Sequence, residues 1–284
     1  MTVADLIPER GLASVNVGIS VSDSADLARL GLSHRHAEMA VGEVARSVLI
    51  GGGHLVYGGR VKPSGFTQFL MHEVRRYGGE QSALTLCLAA PEHRRLSWDE
   101  LDQLDRDIGT KGRVICLDIS GVPIRDILDH KPVDPDPIED APSIQTSYSS
   151  LRRFLGEITD ARVLIGGQLS EFKGEMPGII EEAIVAVQRG QPLYVSAGFG
   201  GAAALVAKTL GIDDLGWAPS DFPTRPRNEQ IDSAIRQLRA AARDTGWDPG
   251  TCGLAELERE QLAASHRASE IASLVVVGLA RAAT

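Results

Sequence analysis

Short apolar runs alternate with helical periodicity along most of the first 211 residues. Residues 15–21 (VNVGISV), 54–57, 83–90, 113–119, 163–165 and 193–197 are brief runs rich in Val, Ile and Leu, which predict strands. Between them, apolar residues recur every three or four positions. Ser33 is placed to cap a helix running to about residue 49, with Ala37, Ala40, Val41, Val44 and Val48 on one face. Phe66, Phe69, Leu70 and Val74 stripe a second helix over 65–77, and Ser97 caps a third over 98–108. Leu151, Phe154, Leu155 and Ile158 mark a helix over 143–158, Pro177-Gly178 opens another, and 202–210 reads as one more. Strand and helix in regular alternation predict an α/β protein, with a parallel sheet and helices on both faces.

Three stretches break that rhythm. Residues 1–13 read as a loose lead-in. Residues 121–142, with five prolines and a DPDP run, read as a solvated surface loop or as a linker; the following strand looks like part of the same sheet. After Gly211 comes a loop over 212–227. Two helical patterns follow, 228–245 (Ile231, Ile235, Leu238, Ala242) and one long run over 254–283. The expected organisation is one unit over 1–211 and C-terminal helices over 212–284 packed on that domain or serving an oligomer contact.

Glycine clusters sit where three strands hand over to helices. Gly58-Gly59-Arg60 precedes Gly65-Phe66-Thr67; Gly166-Gly167-Gln168, then Gly174, precedes Pro177-Gly178; Gly198-Phe199-Gly200-Gly201 precedes the helix from 202. Glycine lets a ligand approach the backbone closely. A helix starting beyond it offers unpaired N–H groups and a positive dipole end, which together suit phosphate. Three such corners are expected to meet at the carboxyl edge of the sheet. Glycine turns also join strands to helices with no ligand involved, and none of these has the GxGxxG pattern of a dinucleotide fingerprint.

The polar candidates each carry two readings. Ser20, Ser22 and Asp23 close the first strand, facing the crevice or capping the next helix. Arg60 reaches a phosphate or lies on the surface. Glu181 and Glu182 stand in the first turns of a helix, where the dipole favours acids regardless of function; the alternative is binding ribose hydroxyls or acting on a glycosidic bond. Helical geometry puts Glu181 beside the stripe Ile180, Ala183, Ile184 and Val187, and Glu182 further from it.

Composition narrows the partners. The 284 residues carry a net charge of −9, which argues against general binding to nucleic acid or an anionic membrane but leaves a small anionic ligand open. The three cysteines, Cys87, Cys116 and Cys252, are far apart and fit the reducing interior of a cytoplasmic protein, with Cys87 and Cys116 read as core residues of strands. The seven histidines show no metal spacing, so no metal is expected. No membrane-spanning run, GxSxG or P-loop pattern appears. Base rates favour a homo-oligomer.

The segments ISVSDS (19–24), LVYGGRVKPSGFT (55–67), LIGGQ (164–168), MPGIIEEA (176–183) and GFGGAA (198–203) resemble the SLOG superfamily. The likeness is to its prokaryotic branch related to the N-terminal domain of TRPM channels, over about residues 13–211. The resemblance implies a Rossmann-like sheet and a nucleotide-derived ligand such as ADP-ribose or cyclic ADP-ribose, with no further cofactor. It also implies a role in bacterial signalling or anti-phage defence, through a separate effector protein or oligomerisation, since no effector domain is visible. The related LOG phosphoribohydrolases release free base from nucleotides and carry PGGxGTxxE. Here Gly166-Gly167, Gly178 and Glu182 match it, residues 168–177 are inserted, and Ile179 replaces the threonine. By that likeness Glu182, with Glu181 beside it, would be catalytic in an N-glycosidase.

Overall fold

The computed structural model describes residues 11–61, 65–79 and 83–283. In chain order the elements are β1 Asn16–Ser22, α1 His34–Ile50, β2 His54–Gly58, α2 Phe66–Tyr77, β3 Leu84–Leu88, α3 Ala90–His93, α4 Trp98–Ile108 and β4 Gly112–Cys116. Then come α5 Ile127–His130, α6 Ala141–Glu157, β5 Ala161–Gly166, α7 Gly178–Gln188, β6 Leu193–Ser196, α8 Gly201–Thr209, α9 Glu229–Thr245, α10 Glu256–Ala264 and α11 Ala268–Ala282.

The six strands form one sheet in the order β4-β3-β2-β1-β5-β6, and every neighbouring pair is parallel. The fold is α/β and Rossmann-like. From β1 the chain winds outward through β2, β3 and β4, then returns to the other side of β1 for β5 and β6. That reversal opens a crevice at the carboxyl ends of β1 and β5.

Side-chain alternation explains the two covered faces. Val17, Ile19, Leu55, Tyr57, Leu84, Leu86, Val163 and Ile165 share one core with α1, α2, α4 and α11. The intervening positions face the other way: Val56 and Cys87 meet α6, while Leu164, Leu193 and Val195 meet α7, α8 and α9.

Several expectations need correction. Of the lead-in, residues 1–10 lie outside the described residues, but Leu12 is fully buried and its N–H donates to Gly51 O at 2.9 Å. The strand expected over 113–119 ends at Cys116, because Leu117 bridges back to Pro123 and Asp118 accepts from Val122 N at 2.9 Å. The long C-terminal helix is two, α10 and α11, parted at residues 265–267. The break packs against the end of β6. Ser196 Oγ donates to Ser265 O at 3.2 Å, and a Cβ on Gly198 would lie 2.4 Å from that same oxygen. The C-terminal helices also divide between faces, α9 packing on α7 and α11 on α1.

Candidate functional site

A cleft of about 400 Å³ opens at the carboxyl ends of β1 and β2. β1 supplies Ser20, Ser22 and Asp23, and β2 leads into Gly58, Gly59 and Arg60. Gly65 and Phe66 enter from the start of α2, and Gly178, Ile179 and Glu182 from the start of α7. Gln168 lies on the rim, where its N–H donates to Ser22 Oγ at 3.2 Å.

The floor is an ion pair inside the sheet. Arg162 on β5 is 1% exposed, and its Nη1 donates to Glu182 Oε2 at 2.6 Å and to Ser20 Oγ at 3.1 Å. Ser20 Oγ in turn donates to Glu182 Oε2. Gly18 makes this possible. It is the register partner of Arg162 on β1, and a Cβ there would lie 3.1 Å from the guanidinium carbon. Glu182 is therefore turned into the cleft, not away from the packed face as helical geometry alone suggested. Its charge is matched by Arg162. Glu181 lies outside the cleft lining and pairs with Arg152.

Two helix N-termini open onto this space. α2 begins after Gly65 and α7 after Pro177, and neither has a side-chain cap. Pro177 is the N-cap itself, just before the first turn where it was expected. The first amides of each helix thus border the cleft with the positive dipole end beside them. The third glycine corner does not join them. Asp26, fully buried, accepts from Gly201 N at 2.9 Å and from Thr224 N at 2.9 Å, so the start of α8 already holds an anion from within the chain. Gly198 lies against Ser265, Phe199 is fully buried, and Gly200 and Gly201 press on Asp26 and Gly167 O. The three expected corners are corrected to two.

Other glycines serve packing inside the chain. A Cβ on Gly59 would lie 2.1 Å from the Tyr57 ring, and one on Gly58 2.5 Å from Leu155. Gly166 and Gly167 take φ values of +65° and +110°, a region closed to most side chains. They turn the chain behind the cleft, where Gly167 O accepts from Ala202 N at 3.0 Å. Gly174 and Gly178 make room for the Arg152 guanidinium, 2.5 Å and 2.7 Å from where their Cβ atoms would stand. Thr67 is buried and its hydroxyl donates to Arg60 O at 2.7 Å, closing the loop rather than entering the cleft. Lys62, Pro63 and Ser64 of that loop lie outside the described residues.

The cleft is acidic at two edges. On one, Asp23 Oδ1 stands 2.5 Å from His34 Nδ1, and the His34 ring rests against Phe66 with centroids 4.9 Å apart. On the other, Tyr148 donates its hydroxyl to Glu92, which also faces Arg60 Nε at 3.6 Å. Burial, then the Glu92 charge, push the Tyr148 phenol well above its ordinary range, so it stays a donor. Tyr57 is raised likewise, first by burial and then by Glu182. Tyr57, His34, Glu92, Tyr148, Arg152, Arg162, Phe172 and Lys173 escaped the sequence reading. Arg162 alone left a signal, a charge within an apolar strand.

Residues 11–243 match the family model described as SLOG cluster2. The chain belongs to this family. The match runs past residue 211 into α9. No curated protein matches it. SLOG membership implies binding or processing of a nucleotide-related ligand. Among the described residues, no group of three His, Cys, Asp or Glu is placed to hold a metal, and no helix is long and apolar enough to cross a membrane.

Proposed function

We propose that this SLOG chain is a binding module for a nucleotide-derived ligand of the ADP-ribose type, cyclic ADP-ribose included. The observation that carries the reading is the pair of uncapped helix N-termini, α2 and α7, bordering one cleft beside Arg60. Phosphate lies against those amides with Arg60 adding charge. Asp23 at one edge accepts hydrogen bonds from ribose hydroxyls. Phe66 and Phe172 supply apolar surface for the base. A volume of about 400 Å³ is ordinary for a cleft holding a small ligand. Signalling, including anti-phage defence, is the setting that the family resemblance supports, and no cofactor beyond the ligand is needed.

One observation favours a second reading, an N-glycosidase: Glu182 is aimed into the cleft at the position of the LOG glutamate. Against it, the same carboxylate oxygen already accepts from Arg162 and Ser20, and Ile179 puts an alkyl chain where LOG enzymes have a hydroxyl. Binding without turnover is the better fit.

The test is a panel of nucleotides, NAD, ADP-ribose and cyclic ADP-ribose, read by thermal shift and by chromatography for released base. A ligand at a hundred times its Kd stabilises the fold by about 2.7 kcal/mol. The expected result is saturable stabilisation by one class, no free base, and loss of the shift in Arg60→Ala. Free base that disappears in Glu182→Gln establishes the glycosidase instead, and no response across the panel rejects both.

A further inference from the structure

Two grooves lie side by side at the C-terminal end of α8 and share Lys208. The first, about 500 Å³, runs between α8 and α9 and carries Lys208, Arg236 and Arg239. Its two carboxylates are occupied, Asp232 by Arg225 at 3.2 Å and Asp221 by Arg29 at 2.8 Å. The second, about 820 Å³, runs between the loop after α8 and α10 and carries Asp214, Glu256 and Glu260. Its cation Arg259 is turned to Leu254 O at 2.7 Å. Among the described residues, Lys208, Arg236 and Arg239 of the first groove and Asp214, Glu256 and Glu260 of the second are in no ion pair. Both sets are therefore available to something outside the chain.

The acidic groove is also lined by two exposed apolar side chains. Trp217 is 41% exposed and Leu257 is 78% exposed. Trp217 is held in place, its Nε1 donating to Asp213 Oδ1 at 3.2 Å and its ring against Phe222 with centroids 5.4 Å apart. A fixed aromatic and a leucine in a groove with unpaired acids, next to a groove with unpaired cations, have the anatomy of a contact surface.

We propose that this face docks a second copy of the same chain about a two-fold axis near the junction of the two grooves. A two-fold contact uses one patch on both subunits, so the patch must complement itself. Segregated charge meets that demand. Rotation brings the α9 cations of one copy onto the α10 acids of the other, twice, with Trp217 and Leu257 covered in each contact. Each chain carries −9 overall, so two copies repel at long range, and local pairing of this kind offsets that repulsion. The inference is independent of the nucleotide reading, because neither groove shares a residue with the cleft.

Sedimentation velocity on the full chain tests it. The wild type is expected to be a dimer at micromolar concentration and low salt, loosening as salt rises. Arg236→Glu with Arg239→Glu places acid against acid in both contacts, and Glu256→Arg with Glu260→Arg places base against base. Each variant alone is expected to dimerise at least about 100-fold more weakly. Mixed, the two variants are expected to form a heterodimer, since both contacts are then restored. Thermal melts of each variant establish that it is folded, and should reversal unfold the chain, Arg236→Gln with Arg239→Gln serves for the weakening. A monomeric wild type, reversed variants that still dimerise, or folded variants that fail to pair on mixing would each overturn the proposal.

Discussion

A guanidinium 1% exposed within a parallel sheet is costly unless its charge is met. Arg162 has Glu182 and Ser20 for that purpose, and Gly18 gives it space. Removing the cation strands the carboxylate. Arg162→Met should cost about 3 kcal/mol in chemical denaturation, and the double variant with Glu182→Gln should recover part of the loss. Gly18→Ala tests the same arrangement from the opposite strand. Its new methyl meets both Arg162 and Thr159 at 3.1 Å, so about 1–3 kcal/mol should be lost to overpacking. A variant as stable as the wild type would show that the guanidinium gives way freely. A glycine within VNVGISV reads as a weak point in a strand; its purpose appears only once Arg162 is seen to be its register partner.

Helices show how one local pattern meets different fates. Three of them start after a glycine corner, and sequence treats the three alike. α2 and α7 leave their first amides toward the cleft, while α8 spends its own on Asp26. Asp26 also holds Thr224, and through Arg29 the loop is fastened again at Asp221. Asp26→Ala therefore leaves two amides without a partner, and a loss of about 2–4 kcal/mol is expected in denaturant unfolding. Hydrogen exchange should quicken at Gly201 and Thr224 while the start of α7 stays unchanged. Equal quickening at both helix starts would contradict the separation of the third corner from the other two.

For the molecule as a whole, buried titratable groups set how stability responds to solution conditions. His93 is buried, with Nε2 donating to Leu117 O at 3.0 Å and burial lowering its pKa below the ordinary 6.5. Above 6.5 the ring is neutral in both folded and unfolded chains, and pH changes nothing through it. Below that value the unfolded chain takes up a proton that the folded one refuses. Stability should then fall by up to about 1.4 kcal/mol per pH unit until the folded pKa is reached. The difference between wild type and His93→Gln, followed by urea unfolding from pH 8 to about 5, should be flat and then converge as acid is added. The thiols make a companion test. Burial pushes Cys87 and Cys116 up to about 12 and raises Cys252, and all three are free and buried. A thiol reagent should label none of them in the native protein and all three in denaturant. Rapid native labelling would show that one of the faces opens.

Local chemistry written along the chain settled most of the elements: apolar runs marked the six strands, caps such as Ser33 and Ser97 marked helix starts, and the glycine corners marked turns. These depend on neighbours a few residues apart, so a single sequence displays them. The carboxyl-edge position of the cleft, with Ser20, Ser22, Arg60, Gly178 and Glu182 around it, followed from the same pattern. Packing alone decided the rest. Glu182 meets Ser20 at a separation of 162 positions, Asp26 meets Gly201 at one of 175, and the break between α10 and α11 packs against Ser196. Those contacts join faces that only the folded sheet brings together, and charge or burial at such a distance leaves no periodicity in the chain to read.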